Sequence, residues 1–422
     1  MSDGDTLRLL AYLTAALVAT GAPVHEVEAD MRRLATRLGH PHAQIDAGPT
    51  GVVLALDSGS PATFETVEGS LRLDQSAETA AIRIGLESGT LSVTSALEQL
   101  SRLRATPHRY ARGGLEVGMA CVAGGIALIL QPLWASVAFA VIVSPVTAGL
   151  VRLSGRWRSL ATLTPFLAAF LIALLAFTAA DLGWIEGPLR SLLPPIAVLL
   201  PGALVVTGLA ELAAGAMTAG TARLVYGGAQ LFLFALGVTG AALLLSVGPQ
   251  GLQTEMVNEI GPWSPFVGAA LLTVGISLME SVPVRLVPWI FLILCVTLVF
   301  QVGGHALLAA PWLGALLGAT ASSFGAALVE IYRPTLPRLV MFLPSFWLLV
   351  PGSLGLVSLT QLSLSPGLAV QTIGHAASVV AAIALGLIVG TTAARTVGLI
   401  RGHRLELLRR RREAREVGRR RS

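Results

Sequence analysis

LPPIAVLLPG, from Leu193 to Gly202, returns 150 residues later as LPSFWLLVPG, from Leu343 to Gly352. Both copies open on Leu-Pro and close on Pro-Gly, so Pro194, Pro201 and Gly202 match Pro344, Pro351 and Gly352. Each copy sits inside an apolar run long enough to cross a bilayer. Proline removes a backbone donor and crowds the preceding turn, so a Pro-Gly step breaks or bends a spanning helix. A matched pair of broken helices is the sequence pointer to the substrate site of a secondary transporter. Two unrelated kinks would leave the same residues. A repeat is favoured because each copy falls in the fourth hydrophobic segment of its half.

Composition excludes a soluble protein. The 422 residues are 54% hydrophobic and 13% charged, with mean hydropathy +0.74; soluble domains carry about 25% charged residues. The chain has no lysine, so all 29 basic residues are arginine. Cys121 and Cys295 lie in apolar runs and imply neither a disulfide framework nor a metal site. From Arg401 onward ten arginines face three glutamates, +7 of a net +5, which leaves the remainder at −2. The basicity belongs to the tail (399–422), where topology anchoring or contact with membrane lipid explains it. Nucleic-acid binding is not expected.

Residues 1–110 read as a small cytoplasmic α+β domain. The apolar run from Leu7 to Thr20 is too short to span and follows Asp3 and Asp5, unlike a signal peptide. A second helix opens at Pro23, carries Val24, Val27, Met31, Leu34 and Leu38 on one face, and stops at Gly39. Strands are expected over Gly51 to Leu56 and Ala62 to Val67, and helices over Asp74 to Ser88 and Ser92 to Ala105.

Ten spans follow, roughly 115–131, 133–151, 159–180, 192–213, 222–247, 265–282, 286–302, 305–328, 338–360 and 372–398. They form an all-α membrane protein of two five-helix modules, 113–250 and 262–398. The first and seventh are short. Arg104, Arg109 and Arg112, then Arg152, Arg156 and Arg158, then Arg223, Arg285, Arg333 and Arg338 all fall on the side of the tail. The other side offers Arg190 with Asp181, Glu186, Glu255 and Glu259. By the positive-inside rule both termini are cytoplasmic. Five spans per half make the second copy enter the membrane upside down, an inverted repeat.

The chain resembles the threonine/serine exporter family over essentially its whole length. Three regions carry the resemblance. One is Gly21 through His25 and Glu28 to Leu38-Gly39. Another runs from Leu193 through Pro201-Gly202 to Glu211, with Gly215, Gly220 and Arg223. The last is Arg338 through Pro344 to Pro351-Gly352, similar to a second module that is a separate polypeptide in some relatives. The resemblance implies a proton-motive-force-driven exporter of small polar metabolites in a bacterial inner membrane. Threonine and serine are the implied solutes, and succinate in two-component relatives. One departure stands out: the position matching Glu211 is Gln361, so carboxylate chemistry belongs to the first copy alone.

Glu211 is the only charge between Ile196 and Gly220. A carboxylate near the membrane interior either pairs or takes a proton, and proton uptake would couple a gradient to solute movement. Pairing with Arg223 at headgroup level is the structural alternative. Glu116, Glu280 and Glu330 lie nearer basic loops and suit interfacial ion pairs. His305 and His375 are single histidines suited to structural roles, with a proton relay as the functional reading. Thr207 and Ser353 flank the Pro-Gly steps; they offer hydroxyls to a polar solute or bond back to their own helices. Gly114-x3-Gly118, Gly314-x3-Gly318 and Gly386-x3-Gly390 are packing surfaces. His40, His42 and Asp46 have metal-ligand types, but a turn explains them equally, and no metal or cofactor is expected.

The expected function is proton-coupled export of a threonine/serine-type amino acid, bound between the broken helices. A dicarboxylate exporter of the succinate type is the alternative. Rival classes are a membrane-anchored enzyme or sensor working through residues 1–110, and a channel whose flux ignores a proton gradient. A homo-oligomer is compatible with the sequence and not required by it.

Overall fold

Two glycines delimit the first helices. α1 (Asp3–Ala19) ends just before Gly21 and α2 (Val24–Arg37) just before Gly39. Both glycines hold positive φ, +86° and +98°, which a residue with a Cβ rarely adopts. Three antiparallel strands follow: β1 (Gln44–Ala47), β2 (Gly51–Ala55) and β3 (Thr63–Thr66), with Ile45 opposite Leu54 and Val53 opposite Phe64. α3 (Leu73–Ser88) closes on Gly89, and α4 (Val93–Leu103) is capped by Ser92, whose hydroxyl accepts the Ser95 N–H. These elements share one core, centred on Leu9, Leu13, Met31, Leu34, Leu54 and Ile82. β1 was not expected from the sequence. It takes in Asp46, which faces outward from it, while His40 and His42 precede it at the turn after α2.

In this computed structural model the described residues are 3–110, 113–247, 258–308, 310–349, 351–364 and 366–421. Arg112 and Glu255, two of the orienting charges, lie outside them. The long helices are α5 (Gly114–Leu130), α6 (Trp134–Ser154) and α7 (Arg158–Asp181). The first broken segment comprises α8 (Pro188–Ser191), α9 (Leu193–Ile196), a 3-10 turn (Ala197–Leu199) and α10 (Gly202–Ala213). α11 (Met217–Leu244), α12 (Ser264–Met279), α13 (Val287–Leu308) and α14 (Pro311–Tyr332) come next. The second Pro-Gly segment is α15 (Arg338–Phe342), α16 (Pro344–Leu349) and α17 (Pro351–Leu364), which together count as one span through Leu362, and α18 (Pro366–Arg421) follows.

Among the described residues seven candidate spans are long and apolar enough to cross a membrane, and the bent pair Pro188–Leu199 with Gly202–Ala213 counts as an eighth when taken as one span. This is a multi-pass membrane protein. α5 and α12 have 17 and 16 residues, about 25 Å at 1.5 Å per residue, short of a hydrocarbon core of about 30 Å. The expected segments fall mainly on helices, but the eighth, 305–328, begins inside α13 and runs across the break before α14. The second short one is α12, the sixth segment, and not the seventh, because α13 continues through 22 residues.

Small residues set the helix contacts. A Cβ on Gly118 would lie 2.8 Å from the Gly275 carbonyl, and one on Gly275 would lie 2.6 Å from the Gly118 carbonyl. Gly125 and Gly268 repeat this reciprocally, each 2.6 Å from the other's carbonyl, so α5 and α12 cross antiparallel with backbones touching. A Cβ on Gly237 of α11 would meet the Phe166 carbonyl and Ala169 Cβ of α7. One on Gly386 of α18 would meet the Leu316 carbonyl and Ala319 Cβ of α14. The α7 contacts and the α14 contacts are 150 residues apart, the same offset as the Pro-Gly phrase.

Candidate functional site

The two Pro-Gly steps meet. At the first, Leu200 is extended and α10 starts at Gly202, with its axis turned 67° from the preceding segment. At the second, α16 begins at Pro344 and α17 at Pro351. A Cβ on Gly352 would sit 2.9 Å from the Leu200 Cβ and 3.3 Å from the Gly202 nitrogen. Only glycine permits that approach. A cavity of about 330 Å³ opens there, walled by Pro201, Gly202, Gly352 and Ser353, with Gln230 of α11 and Ser70 from the loop before α3. Pro194 and Pro344 are buried within the short helices α9 and α16. Of the sequence-predicted residues, Pro201, Gly202, Gly352 and Ser353 thus meet at this cavity, whereas Pro194 and Pro344 are not among its wall residues and Thr207 and Glu211 lie further along α10.

Glu211 is fully buried and Arg223 nearly so. The Arg223 Nε lies 3.2 Å from Glu211 Oε2. Burial penalises both charges, and their pairing offsets part of that cost. The other carboxylate oxygen, Oε1, accepts the Val24 N–H at 2.9 Å. Val24 is the first residue of α2, so its N–H is one of the donors that a helix start leaves free, at the positive end of the helix dipole. Glu280, just past α12, does the same for α3: its Oε2 accepts the Leu73 N–H, and its carbonyl accepts the Asp74 N–H, both at 3.3 Å. The N-terminal unit is therefore docked by two membrane-side carboxylates at two helix N-termini. His108 Nε2 adds a 2.8 Å contact with the Met279 carbonyl, and the Arg109 N–H donates to Ser281.

Thr207 lines a second cavity, of about 130 Å³, between the N-terminal unit and the helices. Leu343 and Phe346 wall both cavities. At its mouth the Glu26 carboxylate bridges two guanidiniums. One Oε bonds Arg338, which opens α15, and the other bonds Arg395 of α18 at 3.0 Å. Burial works against the Glu26 carboxylate, but Arg338 and then Arg395 outweigh it and hold its pKa below the ordinary glutamate value. Burial lowers the pKa of the neighbouring His25.

Residues 8–245 match the family described as "Putative threonine/serine exporter". The chain belongs to that family. No curated protein and no solved structure matches it. The family match covers the N-terminal unit and the helices through α11, and it ends before α12. The second half is linked to the first by the 150-residue offset.

The remaining polar residues of this exporter-family chain resolve into local roles. Glu116 pairs with Arg152 at 2.6 Å, across α5 and α6. Glu330 accepts the Arg338 backbone N–H at 3.2 Å. His305 and His375 are exposed on α13 and α18. His40 lies 3.8 Å from Asp3. Ser353 is buried at the larger cavity, and Gln361 is buried with an unpartnered Oε1 among the described residues. Sequence reasoning missed the Glu26 bridge, because its partners lie 312 and 369 residues away. The available signal was that Glu26, with Glu28 and Asp30 beside it, lies inside a short segment singled out by resemblance.

Proposed function

We propose that this protein exports a small polar amino acid of the threonine/serine type across the bacterial inner membrane, driven by the proton motive force. The contact of Gly202 with Gly352 beside a cavity carries this reading. Two interrupted helices meeting at one hollow supply unpaired backbone groups for a polar solute. Pro194, Pro201, Gly202, Thr207, Pro344, Pro351, Gly352 and Ser353 form the solute path. Residues 113–250 and 262–398 are two five-helix modules in inverted orientation, supported by the antiparallel α5–α12 crossing and by the repeated α7 and α14 contacts. Residues 1–110 and the tail face the cytoplasm.

Glu211 is the coupling carboxylate. A proton on it removes the attraction to Arg223 and weakens the bond that holds the first turn of α2. Proton arrival and release of the N-terminal unit are then one event. The pair of arginines at the smaller cavity also suits a second carboxylate, which keeps a dicarboxylate such as succinate as the other solute to test.

The experiment is purified full-length protein in liposomes loaded with labelled threonine, serine or succinate, with and without an imposed proton gradient. Gradient-driven efflux of one solute, lost in Glu211→Gln, is the expected result. Flux that ignores the gradient would make the protein a channel, and flux that survives the substitution would return Glu211 to a docking role.

A further inference from the structure

The smaller cavity is assembled from three parts of the chain that are distant in sequence. The α1–α2 turn contributes Gly21 and Pro23 and the first turn of α2 His25 and Glu26; α10 contributes Thr207; α15 and α18 contribute Arg338 and Arg395. Its charges are divided unevenly. Both cations belong to the helices of the second half, and the anion that bridges them belongs to the N-terminal unit. Among the described residues Glu26 is the only acid paired with either guanidinium side chain; Glu330 takes the Arg338 backbone N–H instead.

Take Glu26 away and the helices present two guanidiniums to a hollow of about 130 Å³, enough for at least about four waters. Thr207, Ser323, Thr391 and Thr392 supply hydroxyls around it. The Nδ1 of His25 is buried there without a hydrogen-bond partner among the described residues. Guanidinium forks match a carboxylate in shape and charge, and two of them on one carboxylate is the arrangement that a free amino-acid carboxylate would need.

We propose that Arg338 and Arg395 recognise the carboxylate of the solute as it enters, and that Glu26 occupies this subsite as a built-in surrogate. This rests on the exporter reading above. Solute and Glu26 compete for the same two cations, so the N-terminal unit closes the path when solute is scarce and yields when it is abundant. The neighbouring Val24 N–H holds Glu211, so displacing Glu26 also loosens the coupling carboxylate's partner.

The test measures equilibrium binding of labelled threonine to the purified full-length chain in detergent, and half-saturation of efflux in liposomes. If the subsite is free one-tenth of the time in the native chain, Glu26→Gln tightens apparent binding about tenfold. Adding Arg338→Gln to that variant abolishes the gain, and threonine amide, which lacks the carboxylate, fails to compete. Glu280→Gln weakens docking at a contact remote from the cavity and serves as the control. The proposal is overturned if Glu26→Gln leaves binding unchanged, weaker or undetectable, if Glu280→Gln tightens it equally, or if the amide competes as well as threonine. Failure of the exporter reading has a different signature: threonine binds and responds to Glu26→Gln, yet no gradient drives its efflux.

Discussion

The two Pro-Gly segments share a backbone plan and differ in every charge. The first opens at Pro188, turns by 67° and carries Glu211 near its end. The second opens at Arg338, counts as one span through Leu362, and has Gln361 where the first has its acid. The shared Pro-Gly step thus goes with a 67° bend in the first segment, while the second runs as one span. Charges do not recur because each needs its own buried partner. Glu211 has Arg223 and the Val24 N–H, while Arg338 has Glu26. Both Val24 and Glu26 lie in the first turn of α2. One helix end thus neutralises the acid of the first half and the base of the second.

The largest effect should come from unbalancing the first half. Glu211→Gln or Arg223→Gln alone strands a buried charge or its donors, at a cost of about 3–5 kcal/mol. The double variant should recover most of the thermal stability in detergent. Equal losses in single and double variants would mean that the pair is not a unit. Gln361→Glu tests the other side of the comparison: the Gln361 Oε1 has no partner among the described residues, so an acid copied there should destabilise where Glu211 does not.

Next comes the helix crossing. Gly275→Ala places a Cβ 2.6 Å from the Gly118 carbonyl, whereas Gly149→Ala on α6 meets nothing within 4 Å. The first should cost about 1–3 kcal/mol and the second should be silent in the same melting assay. A silent Gly275→Ala would show that the crossing relaxes freely.

A smaller effect is expected from pH. Burial lowers the His25 pKa, with Glu26 and Glu28 opposing and Arg395 and Arg338 assisting; that of Glu26 is lowered by Arg338 and Arg395. Both groups bind fewer protons when docked than when free, so their contribution to docking weakens as pH falls. The His25 contribution declines below about pH 6.5, and the Glu26 contribution persists until pH passes below about 4.3. Proteolysis between α1 and α2 should therefore be faster at pH 5.5 than at 7.5, and His25→Ala should flatten the difference. The smallest effect belongs to the half-exposed Glu116–Arg152 pair, where Glu116→Gln should change stability by about 0–1 kcal/mol.

The helices, the α+β character of the first hundred residues and the Pro-Gly breaks were legible because apolar periodicity, glycine stops and proline leave local marks. The packing glycines were legible as well, although Gly118 finds its partner on α12 beside Gly275, which spacing within α5 does not reveal. β1 was hidden: four residues with only Ile45 and Ala47 buried give too short an alternation to separate from a turn. The Arg338–Glu26–Arg395 bridge was hidden for another reason, since an exposed-looking acid in α2 and arginines read as topology signals carry no mark of one another.

The sequence by itself determined a multi-pass helical membrane protein with an amphipathic N-terminal unit and two Pro-Gly segments 150 residues apart. Composition, hydropathy and proline act through the solvent and the local backbone, and need no knowledge of distant neighbours. Only the tertiary structure decided that the breaks touch, that Glu211 is sealed by Arg223 and Val24, and that Glu26 fills the space between two arginines. Those are pairings of buried charge and close backbone approach, and their energies depend on which surfaces meet.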